Sequence, residues 1–104
     1  MRRLTFESNP KHRSRKLGRI SAQPMNGQAV LDYSVQIRKE SPRRLGVDTF
    51  NKEIVIFMQH LPAVFHGFVV EWKNLEPRAQ KILQELGLVT RRGRIVQTDE
   101  VRND

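Results

Sequence analysis

The sequence predicts an α+β domain: an antiparallel sheet of about four strands, one C-terminal amphipathic helix packed on it, and a basic N-terminal arm. Three observations carry this. Two runs rich in β-branched and aromatic residues, EIVIFMQ (53–59) and VFHGFVVEW (64–72), stand on either side of Leu61-Pro62-Ala63. Leu75, Ala79, Ile82, Leu83 and Leu86 recur at helical spacing between Asn74 and Gly87. The first 27 residues hold few apolar side chains and set seven basic residues against Glu7 alone.

Residues 1–27 read as the arm, punctuated by Asn9-Pro10, Gly18, Pro24 and Asn26-Gly27. Order is expected there only where Leu4, Phe6, Leu17 and Ile20 touch the body. Residues 28–98 form the single α+β domain and 99–104 a frayed tail. In AVLDYSVQI (29–37), Tyr33, Val35 and Ile37 alternate, so the second half reads as a strand; the first half fits a helical turn equally well. ESPRR breaks the pattern, RLGVDTF is a short strand, and Thr49 to Lys52 make the turn. EIVIFMQ is nearly continuous in apolar character, as expected of a central strand covered on both faces. Pro62 marks a connection because proline cannot donate to a central ladder. Gly67 predicts a bulge or a close backbone approach in the next strand. Asn74 is the expected N-cap of the helix, Pro77 is tolerable in its first turn, and Gly87 is the stop. LVTRRGRIV predicts a short hairpin around Arg92-Gly93.

Composition sets the function classes. At 104 residues the chain is one domain, and 38% apolar with 29% charged residues fits a folded core. No run approaches the ~18 apolar residues of a membrane span, and the basic N-terminus lacks the apolar stretch of a signal peptide. Without cysteine there is no disulfide framework and no thiolate metal site. The net charge is +8 with a pI near 10.9, most of the excess lying in the arm. Such a segment attracts a polyanion, whether nucleic acid, an acidic partner or anionic lipid, or it is a solvated arm.

Two of the three histidines, His60 and His66, fall in the long apolar run. Imidazole titrates near neutral pH, so a pair of histidines can act as general base and general acid in RNA cleavage. The plainer reading of His66 is a structural histidine bonded to backbone, and spacing by itself favours it. Arg43 and Arg44 could hold a phosphate or stabilise a phosphorane, or they could be a solvated turn. Lys11 and His12 could reach a nucleic-acid groove, and Arg91, Arg92 and Arg94 widen the basic surface. There is no glycine-rich phosphate loop, no His-Glu-x-x-His and no nucleophile elbow. The carboxylates do not cluster as a two-metal nuclease needs. A nuclease of this composition would therefore work without metal or other cofactor on RNA, whose 2′-hydroxyl is an internal nucleophile.

The segments NPKH (9–12), NGQAVLDYSVQI (26–37), SPRRLGVD (41–48), EIVIF (53–57), LPAVFHG (61–67), Trp72 and RRGRIV (91–96) resemble, in that order, the C-terminal toxin domains of bacterial polymorphic and contact-dependent growth-inhibition toxins. Within these the resemblance is to the RNase group of barnase, EndoU, the colicin RNases and RelE. It covers nearly the whole chain. It implies metal-independent endoribonuclease activity on cellular RNA, tRNA being one candidate, through 2′-hydroxyl attack. It also implies a cognate immunity protein, action in the bacterial cytoplasm, and delivery as part of a larger, secreted toxin. Carried over by position, His66 is the acid/base, with His60 and Arg44 as further catalytic candidates. Lys11, His12, Ser34, Gln36 and Arg43 are the substrate-binding candidates, and no metal ligand is assigned. The family pattern is expected to continue the FHG motif as His-Gly-His-Val-Arg, whereas here Phe68 and Val70 stand where a second histidine and an arginine are expected. That departure, with a chain that begins at its own Met1, implies a reduced or free-standing copy. The alternative function is a non-catalytic nucleic-acid-binding module on the same fold, with no membrane partner in either case.

Overall fold

The computed structural model describes residues 3–8 and 23–96. Lys11 and His12 lie outside them, as do Leu17, Ile20 and most of the basic arm. Among the described residues five strands form one mixed sheet: β1 (Thr5–Phe6), β2 (Val35–Gln36), β3 (Arg44–Asp48), β4 (Glu53–Leu61) and β5 (Val64–Val70), in the order β1-β5-β4-β3-β2. The sheet departs from about four antiparallel strands in one respect. The extra strand, β1, lies in the segment read as an arm and runs parallel to β5, with Thr5 beside Val64 and Phe6 beside Phe65. The other three pairings are antiparallel.

β4 occupies the middle of the sheet, and its β-branched run explains why. Ile54, Val55, Ile56 and Phe57 are all buried, two on each face. On one face Ile54 and Ile56 pack with Leu45, Leu75, Val89 and Ile95, and with Ala79 and Leu83 of the helix α2 (Pro77–Glu85). On the other face Val55, Phe57 and Phe65 pack with Val30 and Leu31 of α1 (Gly27–Asp32), and Leu4 and Phe6 close that cluster. The helical alternative for residues 29–32 is therefore the one that forms, while the strand begins at Val35. Six residues are too few for a helix to persist by itself, so α1 owes its existence to this packing. Each such buried aliphatic or aromatic side chain contributes about 1.5–3 kcal/mol.

Helix α2 starts later than Asn74 predicts. Its N-cap is Glu76, and Asn74 ends a one-turn 3-10 helix, Trp72–Asn74. Pro77 explains the shift. Its ring disfavours helical backbone at the preceding residue, and Glu76 is extended (φ −63°, ψ 151°), so the helix can only begin at the proline. Gly87, at φ 75°, supplies the left-handed stop. The expected C-terminal hairpin is a single antiparallel bridge between Val89 and Ile95.

Gly67 resolves the choice between bulge and close approach. It pairs in register with Phe57, and a Cβ there would lie 2.8 Å from the Phe57 ring. The register shift falls instead in β4, between Gln59 and Leu61, leaving His60 as the extra residue. No helix among the described residues is long and apolar enough to cross a membrane.

Candidate functional site

The alternation of β5 sends Phe65 and Gly67 to the α1 face, and His66, Phe68 and Val70 to the α2 face. Phe68 and Val70 pack against the α2-side core. The two positions where the resemblance led us to expect polar residues are thus filled by packing side chains. His66 lies one step further along the same face, opposite Met58, with its side chain 20% exposed.

The β4 bulge brings the second histidine to this point. A regular register would continue from Gln59–Phe65 to a His60–Val64 pair, but Val64 pairs with Leu61. The extra residue bends the strand and re-aims its side chain. The ring of His60 stacks on that of His66, with centroids 4.5 Å apart and planes inclined by 16°.

The third member comes from the N-terminal strand. Gln28 of α1 clamps β1 by accepting the backbone N–H of Phe6 at 2.8 Å and donating to the carbonyl of Leu4 at 3.0 Å. Thr5 N–H donates to the Ala63 carbonyl and Glu7 N–H to that of Phe65. With Phe6 turned to the α1-side core, Glu7 falls on the opposite face, where its Oε1 lies 3.5 Å from His66 Nε2. Sequence reasoning missed Glu7 as a site residue. Its signal was present: it is the one acid in the first 27 residues, next to alternating Leu4 and Phe6.

The remaining candidates stand elsewhere. Arg44 pairs with Phe57 and so lies on the α1 face, away from the histidines. Its Nε donates to Ser34 Oγ at 2.7 Å and its Nη2 to the Ser34 carbonyl at 2.6 Å. Ser34 is buried and donates to the Leu31 carbonyl at 2.6 Å. This network places a cation over the C-terminal end of α1, where helix carbonyls favour positive charge. Burial lowers the Arg44 pKa, and the guanidinium stays charged. Gln36 donates to the Ser41 carbonyl at 2.9 Å, closing the loop between β2 and β3. Arg43 is exposed, and by alternation from Arg44 it belongs to the histidine face.

The structure thus joins His60 and His66, adds Glu7, and sets Arg44, Ser34 and Gln36 apart from them. Chemically, the cluster offers two imidazoles that can exchange protons with a bound substrate and a carboxylate placed to orient one of them. The same three side chains carry ligand atoms that all lie within 4.8 Å of one another.

No family model matches this chain, and no curated protein matches it. Among solved structures, a chain in the crystal structure of a CDI complex from Cupriavidus taiwanensis LMG 19424 is similar to it, with a TM-score of 0.67 and 44% sequence identity. The match covers 69% of this chain and 97% of that one.

Proposed function

This chain belongs to the same family as that chain of the CDI complex, and we propose that it is a contact-dependent inhibition toxin domain that cleaves RNA. The observation that carries the RNase reading is the stacked His60–His66 pair beside Glu7 on an accessible patch of the sheet. One imidazole removes the proton from a ribose 2′-hydroxyl, and that oxygen attacks the adjacent phosphorus. The other imidazole donates a proton to the departing 5′-oxygen. The products are a 2′,3′-cyclic phosphate and a 5′-hydroxyl, and no metal is required. Glu7 fixes the orientation of His66. Arg43, with Lys11 and His12 from the basic segment, supplies positive charge for the phosphate. Arg44 and Ser34 belong to the scaffold.

The other half of such a system is an immunity protein, and a net charge of +8 favours the toxin role for a chain meant to meet RNA. The site of action is then the bacterial cytoplasm. Induced expression of the wild type and of His66→Ala in bacteria tests the reading. Growth arrest with RNA fragments ending in 2′,3′-cyclic phosphate, both abolished by the substitution, is the expected result. Normal growth and intact RNA from soluble wild-type protein would overturn it and leave a non-catalytic nucleic-acid-binding module.

A further inference from the structure

We propose that Glu7, His60 and His66 form a Zn²⁺ site, and that an ion bound there shuts the histidine pair off. The first argument is chemical. Two imidazoles and one carboxylate are a common three-residue zinc set, leaving a fourth position to water.

The second argument is geometric. Zinc–ligand bonds of about 2.0–2.2 Å at tetrahedral angles put neighbouring ligand atoms roughly 3.4 Å apart. Glu7 Oε1 and His66 Nε2 are 3.5 Å apart, long for a hydrogen bond but close to the edge of a coordination tetrahedron. All three ligand atoms fall within 4.8 Å of one another. The ring nitrogens' lone pairs lie in the ring planes, so binding one ion through both histidines turns the His60 ring out of its stack on His66; the side chains of Glu7 and His60 are both exposed.

The third argument is the scaffold. The ligands come from three different segments: the residue that follows β1, the β4 bulge and the middle of β5. Backbone hydrogen bonds from Thr5 to Ala63 and from Glu7 to Phe65 hold the first against the last. An ion would tie all three together.

The inhibitory half rests on the RNase reading: with zinc on one ring nitrogen, the His66 imidazole can no longer take up a second proton and cycle between imidazole and imidazolium, as general acid–base work requires. The binding half stands without it. The test titrates Zn²⁺ into the purified full chain by calorimetry, alongside Glu7→Gln and His60→Gln, each checked for an unchanged thermal midpoint without metal. RNA cleavage is followed in parallel, with and without Zn²⁺.

The expected result is one equivalent of Zn²⁺ bound by the wild type, a Zn²⁺-dependent rise in its thermal midpoint, and affinity at least about tenfold weaker in each variant. Wild-type cleavage falls with added Zn²⁺ and returns with chelator. Absence of binding, or binding indifferent to both substitutions, overturns the site. Cleavage stimulated by Zn²⁺ overturns the inhibitory role. Binding as expected from a protein that cleaves no RNA under any condition upholds the site and removes the RNase reading instead.

Discussion

Asp48 shows how much one side chain can organise. Its carboxylate accepts the backbone N–H groups of Phe50 and Asn51 and the side-chain amides of Asn51 and Asn26, all between 2.8 and 3.2 Å. It thereby shapes the turn from β3 to β4 and fastens the residue that precedes α1. Burial by itself would raise this carboxyl's pKa, but the four hydrogen bonds outweigh it and hold the group below its ordinary range. A depressed folded-state pKa stabilises the fold above the unfolded carboxyl's titration, near pH 4, and the stabilisation is lost as pH falls through the folded value. Asp48→Ala should cost about 2–3 kcal/mol at pH 7, and the gap from wild type should narrow below pH 4; urea melts across that range measure both. Arg44 gives a second residue-scale prediction. If it belongs to the scaffold, Arg44→Ala lowers the urea midpoint by the equivalent of about 1.5–3 kcal/mol while folded protein keeps its RNA cleavage. Loss of cleavage at unchanged stability would return Arg44 to the catalytic set.

Elements were legible in the sequence wherever a period ran long enough. The buried run Ile54–Phe57 of β4 and the stripe of α2 declare themselves, because burial on two faces and on one face leave different patterns, whereas the exposed end of β4 runs past the expected stop at Gln59 to Leu61. β1 could not be read this way. Two residues carry no period, and a parallel partner nearly sixty residues away leaves no trace in local composition. The site divides in the same manner. His66 follows from its motif, but its meeting with His60 depends on a one-residue register shift, and its meeting with Glu7 depends on β1. The hairpin that joins β4 to β5 also carries a testable strain. Ala63 sits at φ 63°, in the left-handed region that favours glycine, and its carbonyl receives Thr5. Ala63→Gly should stabilise the protein by about 0.5–1 kcal/mol, read as a higher thermal midpoint. At Gly67 the reverse holds. A methyl group would press on the Phe57 ring and on Val55, so Gly67→Ala should cost about 1–3 kcal/mol and disturb the strand that carries His66.

At the scale of the whole molecule, folding and charge are divided along the chain. The sheet and its two helices hold the buried clusters, while the first 27 residues carry seven of the 19 basic residues and a single acid. Within residues 1–27, Leu4 and Phe6 join the α1-side core, and Glu7 reaches the histidines. A polyanion engaging Arg13, Arg15, Lys16 and Arg19 releases counterions for each phosphate neutralised, and the slope of log affinity against log salt counts them. On single-stranded RNA each contact is worth about 0.7 in that slope, so neutralising all four arginines and lysines should flatten it by up to about 3. The measurement is best made by fluorescence anisotropy in a His66→Ala background, where the RNA survives the titration. A flattened slope with the melting temperature unchanged assigns substrate capture to this segment. An unchanged slope would move capture to the folded body, where Arg43, Arg91 and Arg92 are exposed.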